Sequence, residues 1–271
     1  MSPHFLEGIL APRSVAVFGA SDESGTLGQV LFSNLLAGDF QGGIHAINPR
    51  HEQVQGQPCY RDLDALDQPV DTALIATPPR TVPGILRQCG KRGVLGAVVL
   101  SAGFRETGEA GLNLEHEMLD IARKYGLRVV GPNCLGVMRP EARFNATFSK
   151  NQALPGNLAL VSQSGAICTA VLDWAESQQV GFSAVVSVGN AADVHFGDVL
   201  DYLALDRKTR SILLYIEGVR DARRFVSGLR AAARMKPVIV IKPGRHMESS
   251  KAAMSHTGSL VGADDVFDAA L

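Results

Sequence analysis

Short apolar runs alternate with longer amphipathic stretches along almost the whole chain, and most of the apolar runs end in a turn of small residues. Ser14-Val-Ala-Val-Phe18 reads as a buried strand, followed by a glycine-rich turn and a helix over 27–36. The same pattern predicts strands at 43–47, 72–76, 96–100 and 127–130, with helices over 81–91 and 108–125. Strands separated by helices of this length imply βαβ units and a parallel sheet. Residues 138–156 break the rhythm with Pro140, Pro155 and several polar residues, so a link is expected over 139–156. Beyond it the alternation returns, with strands predicted at 157–161, 182–187, 211–216 and 237–241 and helices at 165–178, 195–205 and 221–235. The expected fold class is therefore α/β, with two successive parallel-sheet domains at 1–138 and 157–271. Residues 264–271 start as a helix with an aspartate cap and stop after about two turns, which predicts a chain cut short at that point.

Composition narrows the partners. The 271 residues suit roughly two domains, and 46% apolar against 20% charged residues allows each a core. A net charge of −1 without long Lys or Arg runs argues against nucleic acid and anionic membrane surfaces. The N-terminus lacks a charged segment followed by an apolar one, so it does not read as a signal peptide. No run approaches the ~18 apolar residues of a membrane span. The 4 cysteines lie far apart and form no metal-type pairs, which fits a reducing cytosol and a cytoplasmic location and offers no metal site.

The first unit has the form of a nucleotide site. Strand 14–18 runs into Gly19-Ala-Ser-Asp-Glu-Ser-Gly-Thr-Leu-Gly28 and a helix, where open N–H groups and the helix dipole favour an anion. Gly19, Ala20, Ser21, Ser24, Gly25 and Leu27 are its candidate binding residues. The glycine spacing is not the dinucleotide fingerprint. The acid that would hold an NAD ribose is replaced by Asn48-Pro-Arg50, and Arg50 suits an extra ribose phosphate. NADP and coenzyme A both carry one. No evident hydride-transfer residue accompanies the turn, which weakens the NADP reading. Three more strand ends fall on the same sheet edge: Thr77, Pro78 and Pro79; Ser101, Ala102, Gly103 and Phe104; and Gly131-Pro-Asn-Cys-Leu-Gly136 with Asn133 and Cys134. Cys134 has no histidine near it in sequence to activate it and is not expected to be a nucleophile.

The second unit has the form of a phosphoryl site. Ser162, Gln163, Ser164, Gly165 and Ala166 form a strand–turn–helix junction whose free N–H groups can hold a phosphate. Ser187-Val-Gly-Asn-Ala-Ala-Asp193 is a second small-residue turn. Glu217 ends a strand, where its carboxylate can accept one imidazole N–H and leave the other nitrogen nucleophilic. His256 lies in Ser255-His-Thr-Gly-Ser259, a segment expected to be an exposed, mobile loop and suited to carrying a phosphoryl group.

The segments GPNCLG at 131–136, SQSGA at 162–166, SVGNAADV at 187–194, YIEGV at 215–219 and SHTGSLVG at 255–262 together resemble the NDP-forming acyl-CoA synthetases. These are relatives of succinyl-CoA synthetase, and some are fused to a lysine acetyltransferase domain. The resemblance covers nearly the whole chain. It implies a Rossmann-like CoA-binding domain followed by a flavodoxin-like domain. It also implies exchange of acyl-CoA and phosphate to acyl phosphate and CoA, then transfer of the phosphoryl group to a histidine. That histidine would carry it to ADP in an ATP-grasp domain, where ATP and Mg²⁺ belong. On the matching positions His256 would be the phosphohistidine, Glu217 its orienting group and 162–166 the phosphate cradle. The first-unit loops named above would line the CoA site. The ATP-grasp domain is absent from this sequence, so it is expected elsewhere in a longer polypeptide or on a separate subunit, in an oligomer when complete. A second reading is a CoA- or acetyl-CoA-sensing module of an acetyltransferase; some fused members lose the loop histidine, and retention of His256 favours the enzyme.

Overall fold

The computed structural model describes residues 4–243. A short helix α1 (Glu7–Leu10) leads into β1 (Ser14–Phe18), α2 (Leu27–Ala37), β2 (Gly43–Ile47), a hairpin of β3 (Gln53–Val54) and β4 (Gln57–Tyr60), β5 (Thr72–Ile75), α3 (Val82–Lys91), β6 (Gly96–Val99), α4 (Glu109–Tyr125) and β7 (Arg128–Val130). Strands β5 and β6 are buried at every residue, as strands covered on both faces must be, and so they read as continuous apolar runs. The helices between them are fixed at their ends: Thr26 caps α2 through Gln29 N, and Gly126 closes α4 in the left-handed region.

The first sheet has the order β3-β4-β2-β1-β5-β6-β7. From β2 to β7 all pairings are parallel, so the loops after β2, β1, β5, β6 and β7 share one edge. The chain passes from β1 to β2 on one side and to β5 on the other, which makes the end of β1 a topological switch point.

The second sheet comprises β8 (Gly136–Arg139), β9 (Phe144–Thr147), β10 (Leu154–Ser162), β11 (Gly181–Ser187), β12 (Ser211–Tyr215) and β13 (Val238–Ile241), in the order β13-β12-β10-β11-β8-β9. Helices α5 (Gly165–Ser177), α6 (Phe196–Leu205) and α7 (Ala222–Ala233) connect the parallel strands β10 to β13. Here the switch point falls at the end of β10, between β11 and β12. The two α/β sheets and their order agree with the sequence reading.

The expected link over 139–156 does not exist as a link. Strands β8 and β9 pair antiparallel there, β8 joins β11, and β10 already begins at Leu154. The prolines sit at the turn between β8 and β9 and at the irregular start of β10, where the ladder does not need their N–H. One apolar core runs from Leu6, Val15 and Phe32 through Cys134 and Val137 to Val161, Val186 and Leu214, so the two sheets share packing rather than hang on a hinge.

Candidate active site between the two sheets

The turn that leaves β7 enters β8, and it therefore carries the edge of the first sheet directly onto the second. Pro132 O accepts from Asn190 N at 2.9 Å, and Gly131 O from Ala192 N at 3.0 Å. Asp193 Oδ2 accepts from Val129 N at 2.8 Å and from Arg128 Nε at 2.9 Å. Gly189, at φ +52°, lies so close that a Cβ would strike the carbonyls of Pro132 and Asn133. Only glycine fits that crossing.

This contact closes a cavity of about 260 Å³. Asn133, Cys134 and Leu135 line it from the first turn, and Gln163, Ser164, Gly165 and Ala166 from the start of α5. Glu217 after β12, Gly189 and Asn190 after β11, and Leu100 and Phe148 complete the wall. Ser164 is the N-cap of α5, its hydroxyl accepting from Ile167 N at 3.3 Å. The free N–H groups of the first turn and the positive end of the helix dipole face the cavity, an arrangement that binds anions. Gln163 Oε1 accepts from Glu217 N at 2.6 Å and Gly218 N at 3.0 Å, tying the α5 turn to the end of β12.

The residues expected from sequence divide into four groups. Gln163, Ser164, Gly165, Ala166, Glu217, Asn133 and Cys134 meet in this cavity. Ser162 does not line it: the residue is fully buried and its hydroxyl is spent on Ser164, accepting from N at 3.0 Å and donating to O at 2.9 Å. It shapes the turn instead. His256 lies outside the described residues.

The remaining first-unit residues form a continuous row along the edge of the first sheet. Asn48 Nδ2 donates to Ala20 O at 2.9 Å. Gly19, at φ +86°, abuts Ala76 O and Thr77, and Gly28 packs its Cα onto Gly19 O so closely that any side chain would collide. Ser101 Oγ donates to Thr77 O at 2.6 Å, Gly103 packs on Pro79, and Asn133 N donates to Ser101 O at 3.0 Å. Ser24, Gly25, Leu27, Arg50, Pro78 and Ala102 are exposed along this row, and no hydrogen bond or ion pair engages the Arg50 side chain among the described residues. Phe104 is the exception. Its ring is fully buried in the core beneath the sheet, leaving only its backbone near the edge.

Cys134 is buried, with Sγ donating to Val99 O at 3.3 Å, and burial pushes its pKa up to about 12. A thiol so held is a packing group, not a nucleophile. Glu106 binds the two units together: it accepts from Gly103 N at 2.7 Å, Phe104 N at 3.2 Å and Asn190 Nδ2 at 2.6 Å. Burial works to raise its pKa, but these hydrogen bonds outweigh it and hold the carboxyl below its ordinary value. Behind it, the fully buried Glu115 is gripped by Arg105 at 2.8 Å and Arg220 at 3.2 Å.

Sequence reading passed over several of these groups. Asn190 and Gly189 lie in a turn it had noticed without assigning. Gln55, at the tip of the β3–β4 hairpin, folds over the Gly19–Gly28 turn and donates to Ser21 O at 3.1 Å and Gln29 O at 3.0 Å. Its signal is the Gln55-Gly56 pair, both at positive φ, a two-residue hairpin turn.

Residues 13–140 match the CoA binding domain model, and residues 155–271 the model of the succinyl-CoA ligase like flavodoxin domain. The chain is 44% identical over 265 residues to acetate–CoA ligase [ADP-forming] I of Archaeoglobus fulgidus, covering 98% of this chain and 38% of that protein. It is 43% identical over 269 residues to the alpha subunit of acetate–CoA ligase [ADP-forming] I of Pyrococcus furiosus, covering 98% of this chain and 58% of that subunit. Among solved structures it superposes on the dinucleotide forming acetyl-coenzyme A synthetase 1 of Ca. Korarchaeum cryptofilum, solved in complex with phosphate and ADP, at a TM-score of 0.93 and 39% identity, over 98% of this chain and 57% of that one. The chain thus spans between 38% and 58% of the length of these relatives.

Proposed function

We infer the function of this chain from its kinship: it belongs to the NDP-forming acyl-CoA synthetases, and it supplies the CoA-binding and phosphohistidine portion of such a ligase. The observation that carries this reading is the single cavity in which the first-sheet turn at Asn133, the N-terminus of α5 and Glu217 meet. The first unit, ending at the turn 131–135, holds CoA along its sheet edge. The ADP moiety lies at the Gly19–Gly28 turn, where the chain passes close enough at Gly19 and Gly28 to admit no side chain, and Arg50 reaches a phosphate. The pantetheine follows the row of loops toward Asn133.

The chemistry then runs in two displacements. Phosphate rests on the N–H groups of Gly165 and Ala166 in the first turn of α5, and one of its oxygens attacks the thioester carbon. A C–O bond forms, the C–S bond breaks, and CoA leaves as thiolate, taking up the proton that phosphate gives up. A ring nitrogen of His256 next attacks the phosphorus of the acyl phosphate. An N–P bond forms and the carboxylate leaves. Glu217 accepts the N–H of the other ring nitrogen and balances the developing positive charge. ADP and Mg²⁺ belong to an ATP-grasp domain in the same polypeptide or on a partner subunit. Run backwards, the same steps make acyl-CoA from a small carboxylate. Among the described residues no helix is long and apolar enough to cross a membrane, and the free cysteines suit a reducing cytoplasm.

Calorimetry tests the ligand assignment. CoA should bind more tightly than NADP, and Arg50→Ala should weaken CoA more than dephospho-CoA, because charge-assisted phosphate contacts are the stronger kind. Tighter binding of NADP would overturn the reading. Equal losses for the two CoA forms would remove Arg50 from its role.

A further inference from the structure

One carboxylate stands where the two units meet and plays no part in the two displacements. Glu106 lies in the short helical turn Arg105–Thr107, directly after the edge loop 101–104. Its two oxygens are spent in different directions. Oε1 accepts from Gly103 N at 2.7 Å and Phe104 N at 3.2 Å, which fixes the carboxylate on the loop. Oε2 accepts from Asn190 Nδ2 at 2.6 Å, across to the turn after β11. These bonds favour the ionised form, and a carboxylate only accepts, so Asn190 must present its amide nitrogen to it. The Oδ1 end of Asn190 then faces the other way, where it accepts from Asn133 Nδ2 at 3.4 Å. Asn190 and Asn133 both line the cavity. Their backbones are fixed as well: Asn190 N donates to Pro132 O at 2.9 Å and Asn133 N to Ser101 O at 3.0 Å. One charge thus sets the direction of two amides.

We propose that Glu106 is a positioning residue for the first displacement: acting through Asn190, it turns the amide nitrogen of Asn133 toward the thioester carbonyl. The inference rests on the functional reading above, which brings the pantetheine to Asn133. A side-chain amide nitrogen carries two N–H groups. Asn190 takes one, and the second donates to the carbonyl oxygen. When phosphate attacks the thioester carbon, that oxygen takes up negative charge, and a donor already aimed at it lowers the barrier. The charge of Glu106 also polarises the chain of bonds and strengthens its last donor. The link between the two asparagines is long for a hydrogen bond and would not keep its direction by itself; the anion behind Asn190 imposes it. With the relay reversed, Asn133 would offer Oδ1 to the growing oxyanion and repel it.

Arsenolysis isolates the first displacement. An oxygen of arsenate attacks the thioester carbon of acetyl-CoA, the C–S bond breaks, and CoA leaves as thiolate and takes up the proton that arsenate gives up; water then splits acetyl arsenate to acetate and arsenate. Glu106→Gln keeps the size and shape of the side chain. Its oxygen can still accept from Gly103 N and Phe104 N, but its nitrogen now faces Asn190 and reverses both amides. Thiol release should lose roughly tenfold or more in kcat, the scale of a misdirected oxyanion donor, while KM for acetyl-CoA and the calorimetric affinity for CoA stay unchanged. Asn190→Asp alone sets two carboxylates against each other and should also be slow. Glu106→Gln combined with Asn190→Asp restores the direction, since the new carboxylate accepts from the new amide and from Asn133 Nδ2, and it should recover most of the lost kcat. A general structural role does not make two harmful changes repair each other. Asn133→Ala tests the far end of the relay: it should be slower by roughly a hundredfold, and adding Glu106→Gln to it should cost nothing more. Wild-type kcat in Glu106→Gln or in Asn133→Ala overturns the proposal, and so does a double variant no faster than the slower of its two parents. A wild-type chain that releases no thiol overturns the reading of the site, and the relay with it.

Discussion

The side-chain oxygen of Gln163 accepts two backbone hydrogen bonds from the segment that follows the neighbouring strand β12, from Glu217 N at 2.6 Å and Gly218 N at 3.0 Å. The turn proposed to hold phosphate is thereby tied to the backbone that carries Glu217, the group proposed to orient His256. Gln163→Leu leaves both N–H groups without their acceptor, at a cost of about 1–3 kcal/mol for each that stays dry. Phosphorylation of the histidine should slow at least tenfold, while CoA affinity stays unchanged. Titration calorimetry beside a single-turnover phosphorylation assay separates the two. Equal loss in both would reduce the residue to a general structural role.

Cys134 should resist alkylation in the folded chain. With its pKa pushed up to about 12 by burial, the thiolate fraction at pH 8 is negligible. Cys89 and Cys168 are raised to about 12 for the same reason. Half-buried Cys59 is the thiol expected to react first. Peptide mapping after iodoacetamide treatment at pH 8 checks the order, and Cys134→Ser should retain its turnover. An acyl adduct trapped on Cys134 would contradict the packing role.

Glu115 should be a keystone of the shared core. Its side chain is 0% exposed and gripped by Arg105 from the first unit and Arg220 from the second. Glu115→Ala strands two guanidinium groups, and breaking a buried pair in this way costs about 3–5 kcal/mol. At roughly 2–4 °C per kcal/mol for chains somewhat shorter than this one, the melting temperature should drop by on the order of 10 °C. A calorimetric scan with a shift inside experimental scatter would show that the cluster contributes nothing.

The parallel strands of both sheets were legible because buried strands are continuous apolar runs, and the turns at their ends because small residues follow them directly. Strands β8 and β9 were not. They are short, antiparallel and separated by Pro140, and their apolar residues Val137, Met138, Phe144 and Ala146 are too few to show a period. Turn chemistry placed Ser164, Gly165 and Glu217 in the site, since helix caps and strand ends are local features. Gln163 was legible as part of the turn, but its side-chain bond spans 54 positions of sequence and only folding creates it. Phe148 and Leu100 carry no chemical signature, because an apolar residue lining a cavity reads the same as one filling a core.

Phosphorylation of His256 tests the account most directly. The chain is incubated with acetyl-CoA and [³²P]phosphate, and the label is followed through acid and base. Acid-labile, base-stable label should appear on a peptide containing His256, and it should vanish in His256→Ala while CoA affinity, set by other loops, is retained. No label on the wild-type chain, or undiminished label on His256→Ala, would contradict the phosphohistidine role.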